Sequence, residues 1–179
     1  MGKKGFSVLS IICLVAALLY SVYACIGLFQ DHYIGEHFKM AMDLQWRLQL
    51  FSLILPFGVQ LFQYKALRNK TVYFAWMIFS IVLLGLYLAF IKDRSLIVRE
   101  GLSAMTGFKN LFVFLLWFQL CRLISKRLYG VELVMPSKDI YQTKIAGRPY
   151  DTEDKRYLTV VDYIALVGAW IVIIISSFN

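Results

Sequence analysis

Long apolar runs are the feature of this sequence that most constrains its fold. Five of them approach the length of a membrane-spanning helix, and shorter polar segments separate them. A helix needs about 20 predominantly apolar residues to cross the hydrocarbon core of a bilayer. We therefore predict an all-α, polytopic transmembrane helix bundle of about five spans, forming a single membrane domain. The predicted spans cover residues 6–29, 47–64, 71–91, 107–125 and 158–178, with a polar loop at 126–157. The fourth run is short, so four spans plus a re-entrant segment is the alternative.

The composition agrees with a membrane protein and argues against a nucleic-acid-binding one. Hydrophobic residues make up 60% of the chain and charged residues 17%, whereas soluble domains are about one quarter charged. The net charge is +8, but the basic residues flank the apolar runs, as expected for cytoplasmic loops. No signature of a nucleic-acid-binding module is present. The lipid bilayer is the expected partner, and no nucleic acid is.

The distribution of Lys and Arg predicts an orientation in the membrane. If the N-terminus is cytoplasmic, the inner segments carry twelve of these residues and the outer segments six. This excess predicts a cytoplasmic N-terminus and a C-terminus outside. A small, basic, cysteine-poor chain whose first apolar run is long enough to span suggests the bacterial inner membrane, with a mitochondrial membrane as the alternative.

Two opposite charges lie inside predicted spans. Arg122 is about one turn before the end of span four, and Asp162 is about one turn after the start of span five. At ~1.5 Å of rise per residue, both lie roughly 6 Å deep on the same side. Charges within a span are costly and usually paired. We predict an Arg122–Asp162 ion pair that fixes the register of the two spans, with a proton relay or unpaired interfacial charges as alternatives.

Polar side chains form a stripe along span two. Their spacing of three or four residues places them on one helix face. The stripe comprises Gln49, Ser52, Gln60 and Gln63, interrupted by Pro56, and Gln119 of span four shares a face with Arg122. Hydrogen bonds between helices are the commoner use of such residues. A path for a substrate or an ion is the alternative.

The loop after span one contains two histidines. His32 and His37 are five residues apart, so they do not share a helix face as the ligands of an HExxH zinc site do. We treat them as weak metal candidates and expect a solvated loop. We predict no metal and no cofactor.

The polar loop at 126–157 contains signals of its own. Gly130 is placed to cap the end of span four, and the acids from Asp151 onward resemble a helix start. The residues between are too apolar for a disordered linker. We predict that they dock on the bundle or on a partner, through Val131, Pro136, Ile140, Tyr141 and Arg148.

One further element is predicted before span four. Val98, Leu102 and Met105 share a helical face, which suggests a short amphipathic helix on the membrane surface.

The sequence contains no arrangement that specifies an enzyme. We find no nucleophile with an adjacent base, no Gly-rich phosphate loop and no pair of catalytic carboxylates. The favoured prediction is therefore a non-catalytic structural or accessory subunit of a larger membrane complex, with other membrane-protein subunits as partners. A small transporter or channel using the glutamine stripe is the first alternative, and a membrane enzyme is the second.

Overall fold

The computed structural model is mostly helical. It describes residues 8–34, 50, 53–92, 97–99, 102–134, 144–145, 148–151 and 154–178. The α-helices within these ranges are α1 (Val8–Ile34), α2 (Leu53–Gln63), α3 (Lys70–Phe90), α4 (Asn110–Tyr129) and α5 (Val160–Phe178). Each predicted span therefore contains a helix.

Membrane-spanning character is clearest in α3, α4 and α5. Among the described residues, three helical stretches are long and apolar enough to cross a membrane: Lys70–Phe90, Met105–Tyr129 and Val160–Ser177. Two shorter apolar stretches, Ser10–Tyr23 and Leu53–Gln63, lie in α1 and α2. The helical membrane fold is thus confirmed in outline, and the number of spans stays a prediction. At 25 residues, the stretch ending at Tyr129 is long enough to span without a re-entrant path.

Local signals set the ends of α3 and α4. The Asn69 side chain accepts a hydrogen bond of 2.9 Å from the Thr71 N–H, which caps the start of α3. Gly130 follows α4 in the left-handed conformation, at φ 67°, and its N–H donates to the Lys126 carbonyl at 3.0 Å. A residue with a Cβ is strained in this conformation. The prediction that Gly130 caps this helix is confirmed.

Helices α4 and α5 pack closely in an antiparallel pair. A Cβ added to Gly168 would collide with the ring of Trp117, so glycine is what allows this approach. The Trp117 Nε1–H donates to the Ala165 carbonyl at 3.2 Å, and the Asn110 amide donates to Ser177 Oγ at 2.8 Å near the other end of the pair. The packing therefore extends along the length of both helices.

Aromatic side chains fill the centre of the bundle. Trp76 of α3 and Phe114 and Phe118 of α4 are fully buried, and the Tyr73 hydroxyl donates to the Leu115 carbonyl at 3.3 Å. The outer surface is also apolar, with large hydrophobic side chains exposed on every helix. Such a surface suits contact with lipid tails.

The predicted surface helix before span four is wrong. The described residues form a short antiparallel hairpin, β1 (Ile97–Arg99) with β2 (Leu102–Ser103), followed by a 3-10 helix at Ala104–Lys109 that leads into α4. Ile97 and Val98 are β-branched and favour strands, whereas Gly101 is unfavourable inside a helix. Helical spacing of three apolar residues did not outweigh these preferences.

The predicted helix start near Asp151 is also wrong. Three short strands form an antiparallel sheet in the order β3 (Lys144–Ile145), β4 (Arg148–Asp151) and β5 (Arg156–Tyr157), and α5 begins only at Val160. Pro149 lies within β4, opposite Lys144. The acids that resembled a helix start have tertiary roles: Asp151 is buried in β4 and Asp154 pairs with Arg68.

A candidate functional site at the charged end of the bundle

Several chain segments meet at one end of the bundle, which we call the charged end. They are the α2–α3 connection, the end of α4, residues 131–134, strand β5 and the start of α5. Their charged side chains form what we call the charge network: Arg68, Arg122, Lys126, Glu132, Asp154, Arg156 and Asp162.

Asp162 is at the centre of one half of this network. Its side chain is 0% exposed, and within the described structure it accepts five hydrogen bonds. Arg156 donates from Nη1 and Nη2 at 2.8 and 2.9 Å, and the Val134 N–H donates at 2.8 Å. Thr159 donates from its backbone N–H and its hydroxyl, both at 2.7 Å. A fully buried carboxylate is stable only with such compensation.

The contact with Thr159 is also the N-terminal cap of α5. Thr159 precedes the first helical residue, and Asp162 lies three positions later. The Asp162 carboxylate accepts the Thr159 backbone N–H, which is one half of a capping box. Asp162 therefore both starts the helix and anchors the chain segments that pack against it.

Arg122 is at the centre of the other half. Its Nε donates to Glu132 Oε2 at 2.9 Å, and its Nη2 donates to Glu132 Oε1 at 3.2 Å. The same Nη2 donates to the Arg68 carbonyl at 2.7 Å, so Arg122 joins α4 to the α2–α3 connection. Lys126 adds a second cation to Glu132, with Nζ 2.7 Å from Oε1.

Residues 131–134 connect the two halves. The Glu132 carbonyl accepts a hydrogen bond of 2.7 Å from Arg156 Nη2, and the Val134 N–H donates to Asp162. Ser125 of α4 donates to the Val131 carbonyl at 3.1 Å. Leu133 and Val134 are both 0% exposed. This segment therefore lies against the bundle, with the Val131 and Glu132 carbonyls and the Val134 N–H hydrogen-bonded to it.

The predicted direct pair between Arg122 and Asp162 is not formed. Both residues are described, and both lie at the charged end as expected. The pairs that the structure forms are Arg122–Glu132 and Arg156–Asp162. Glu132 and Arg156 lie ten and six residues from their partners in the sequence. Both partners belong to loop residues that fold back onto the bundle, so spacing within the spans does not reveal them.

A further ion pair joins the α2–α3 connection to the rest of the charged end. Arg68 Nη2 lies 2.7 Å from Asp154 Oδ2, and Nη1 donates to Oδ1 at 3.1 Å. Asp154 follows β4, so this pair fixes the sheet to the connection between α2 and α3. The Arg68 guanidinium and the Lys65 ammonium both lie within 6 Å of the Tyr64 ring centre, at 5.9 and 5.8 Å.

The cations around Glu132 control its ionisation. Partial burial alone would raise the pKa of the Glu132 carboxyl. Hydrogen bonds and charge from Arg122 and Lys126 outweigh this effect, so the pKa lies below its ordinary value of 4.5. Glu132 is therefore a carboxylate at neutral pH.

The glutamine stripe is only partly described. Gln60 and Gln63 are each 1% exposed, and the Gln63 amide donates to Cys13 Sγ of α1 at 3.3 Å. Gln119 is half-buried on α4. Gln49 and Ser52 lie outside the described residues. The two buried glutamines point into the bundle, where they can bond to neighbouring helices.

The remaining predicted residues are divided between the described and undescribed parts. Val131 is half-buried beside the charge network, and Arg148 is exposed on β4. Pro136, Ile140 and Tyr141 lie outside the described residues, as does His37. His32 belongs to α1, although its side chain is not described. Among the residues that the structure describes, no group of three or more His, Cys, Asp or Glu side chains could hold a metal ion.

Sequence reasoning missed Glu132, Arg156 and Thr159. One of them carried a usable signal, because Thr159 and Asp162 match the pattern of a capping box before an apolar run. The other two carried none, since an ion pair across a loop has no fixed spacing. In the charge network every carboxylate is bound to Arg or Lys, an arrangement that holds chain segments together rather than one that activates a nucleophile.

The fold and the charged end define a mostly helical chain whose helices suit a lipid bilayer and whose buried charges are paired with one another. No family model, curated protein or solved structure matches this chain.

Proposed function

We propose that this chain is a five-span membrane protein that serves as a non-catalytic subunit of a larger membrane complex. Helices α1 and α2 are the first two spans in this proposal, and the charged end faces the cytoplasm. The excess of Lys and Arg in the segments at that end supports the orientation. A bacterial inner membrane is the proposed location.

The internal pairing of the charge network is the observation that carries this proposal. Each acid of the network, including Asp154 and Asp162, is bound to a cation of the same chain. Transporters and enzymes commonly use ionisable groups that face a substrate. Here they join five chain segments, which is a structural role.

The sheet at the charged end is the proposed docking surface for a partner. Ile145 of β3 is 46% exposed and Tyr157 of β5 is 42% exposed, and Arg148 on β4 is exposed as well. An aromatic residue, an aliphatic residue and an arginine are side chains that interfaces favour. The Arg68–Asp154 and Arg156–Asp162 pairs fix this sheet to the bundle, so a partner would meet a preformed surface.

Purification of the native assembly tests this proposal. The tagged chain is extracted from its own membrane in a mild detergent, and native mass spectrometry determines which chains accompany it. We expect a defined partner that is lost in the double variant Ile145→Asp, Arg148→Glu. Lys155→Gln, in the turn between β4 and β5, is the matched control and should retain it. A chain that purifies without other polypeptides, or a partner indifferent to the double variant, would contradict the proposal.

A further inference from the structure

An apolar groove of about 490 Å³ lies between α1 and α2, and we call it the α1–α2 groove. Its volume is within the range of about 300–1,000 Å³ that is usual for small-molecule sites. Gly58 keeps it open, since a Cβ added there would meet nothing within 4 Å. The apolar part of its lining includes Ala17, Ile54, Val59 and Phe62.

Two buried polar side chains also line this groove. They are Gln63 of α2 and Trp76 of α3, each 1% exposed. Within the described structure, Gln63 Oε1 and Trp76 Nε1 have no hydrogen-bond partner. The Gln63 amide nitrogen donates only to Cys13 Sγ, at 3.3 Å, and a thiol sulfur is a weak acceptor. Buried polar groups are normally hydrogen-bonded, so one acceptor and one donor remain to be satisfied at the groove.

The fold brings these two side chains toward the same depth. α2 ends at Gln63, near the charged end, whereas Trp76 lies six residues into α3, about 9 Å further from that end at ~1.5 Å of rise per residue. Helices joined by so short a connection run antiparallel, and side chains on a helix lean toward its N-terminus. Gln63 therefore leans away from the charged end and Trp76 leans toward it, which closes much of the gap.

The polar part of the lining favours a hydroxyl group. A hydroxyl can accept a hydrogen bond from the Trp76 indole N–H and donate one to the Gln63 amide oxygen. Among the described residues that line the groove, none is charged. Because an unpaired charge is costly to bury, the lining favours an occupant without one.

The apolar part of the lining favours a hydrocarbon chain. It runs along α2 from Gln63 back to Ile54, about 14 Å at ~1.5 Å of rise per residue. One leaflet contributes about 15 Å of a hydrocarbon core that is ~30 Å thick. The groove therefore matches the depth of a single leaflet, with its polar groups at the end nearer the charged end of the bundle.

We propose that the α1–α2 groove binds an uncharged lipid alcohol, with its hydroxyl between Gln63 and Trp76 and its hydrocarbon chain along α2 beside Gly58. This inference is independent of the proposed role as a complex subunit. The hydroxyl supplies both hydrogen bonds that the protein leaves unmade, whereas a hydrocarbon of the same length supplies neither. The groove therefore distinguishes an alcohol from an alkane.

Photolabelling in a bilayer tests the proposal. The full chain is reconstituted in phosphatidylcholine vesicles with a hexadecanol probe that carries a diazirine in its chain, and peptide mass mapping after illumination locates the label. We expect label on the segments of α1 and α2 that line the groove. Three unlabelled competitors are then compared at equal mole fraction in the bilayer: hexadecanol, its methyl ether and hexadecane.

The three competitors differ by one hydrogen bond at each step. The methyl ether can accept from Trp76 but cannot donate to Gln63, and hexadecane can do neither. Hexadecanol should therefore displace the probe about tenfold better than the ether, the factor expected for one buried hydrogen bond, and the ether should be better than hexadecane. Hexadecyl sulfate, which carries a permanent charge, should not displace the probe.

Substitution of the two polar side chains should change this order in different ways. Gln63→Leu should make hexadecanol and its ether equal, because neither can then donate to residue 63. Trp76→Phe should make the ether and hexadecane equal, because the indole N–H is gone. Gln60→Leu is the matched control and should keep the order of the wild type, since Gln60 is equally buried on α2 but does not line the groove.

Filling the groove is a second arm of the test. Gly58→Phe should abolish labelling of the groove, whereas Gly85→Phe, at a glycine of α3 with open space around it, should not. Equal displacement by all three competitors in the wild type would overturn the proposal, as would normal labelling of Gly58→Phe. A crosslink from benzoylphenylalanine at position 62 to another polypeptide would also overturn it, because a protein would then occupy the groove.

Discussion

Arg156 donates two hydrogen bonds, of 2.8 and 2.9 Å, to the fully buried carboxylate of Asp162 six residues further along the chain. This pair lies where strand β5 leads into α5, and it also fixes residues 132–134 against the bundle through the Glu132 carbonyl and the Val134 N–H. The start of α5 and the order of the charged end therefore depend on one ion pair.

Removing the Asp162 charge should destabilise the protein strongly. Asp162→Asn leaves the largely buried Arg156 guanidinium, whose side chain is 13% exposed, without its counter-charge, and breaking a buried pair in this way costs about 3–5 kcal/mol. Asp154→Asn, which breaks the more exposed pair with Arg68, is the control and should cost about 1 kcal/mol or less. Thermal unfolding in detergent, followed by tryptophan fluorescence, compares the two. Equal losses of thermal stability in the two variants would mean that the Arg156–Asp162 pair stabilises the fold no more than the Arg68–Asp154 pair does.

Double-mutant cycles should distinguish the observed pairs from the predicted one. Contacting charges typically couple by about 0.5–3 kcal/mol, and distant ones add within about 0.5 kcal/mol. We expect strong coupling between Arg122→Gln and Glu132→Gln and weaker coupling between Arg122→Gln and Asp162→Asn. The unfolding free energies of the single and double variants provide the measurement. Stronger coupling of Arg122 to Asp162 than to Glu132 would instead support a direct Arg122–Asp162 pair.

Acid should weaken the charged end through Glu132. The folded-state pKa of Glu132 lies below its ordinary value of 4.5, so the folded state binds this proton less readily than the unfolded state. The resulting stability is complete above the unfolded pKa and is lost as the pH falls through the lower folded pKa. Melting temperatures measured from pH 7 to pH 3 should fall less steeply for Glu132→Gln than for the wild type. The same dependence of melting temperature on pH in both proteins would contradict a stabilising role for the Glu132 carboxylate.

The contact between Gly168 and Trp117 should not tolerate a methyl group. Gly168→Ala places a Cβ against the indole ring, and overpacking of this kind costs about 1–3 kcal/mol. Gly85→Ala, where the space is open, should be neutral or stabilising. Melting temperatures of the two variants, measured in detergent, test this prediction. A Gly168→Ala variant as stable as the wild type would show that the two helices are not so closely packed.

The buried glutamines should contribute to stability and not to transport. Gln63→Leu removes the contact with Cys13, and hydrogen bonds between membrane helices are worth about 0.6 kcal/mol on average. We expect a small drop in melting temperature and no ion or solute flux in proteoliposomes of the wild type. A flux that Gln60→Leu abolishes would instead favour the transporter alternative.

The helices could be predicted from the sequence because the signals that specify them are local. Apolar length is contained within each run, so α3, α4 and α5 could be predicted from composition alone. Gly130 was predictable for a similar reason, since the left-handed cap depends on a single residue. The hairpin of β1 and β2 was missed because helical spacing and strand propensity compete over so short a segment.

By itself, the sequence determined that this chain forms apolar helices and that Arg122 and Asp162 lie near the ends of two of them. Only the tertiary structure decided their partners, Glu132 and Arg156. An ion pair requires its charged atoms to come within about 4 Å, and that distance depends on where residues 131–134 and strand β5 return to the bundle. Such a return is set by the packing of the whole charged end, and no spacing in the sequence encodes it.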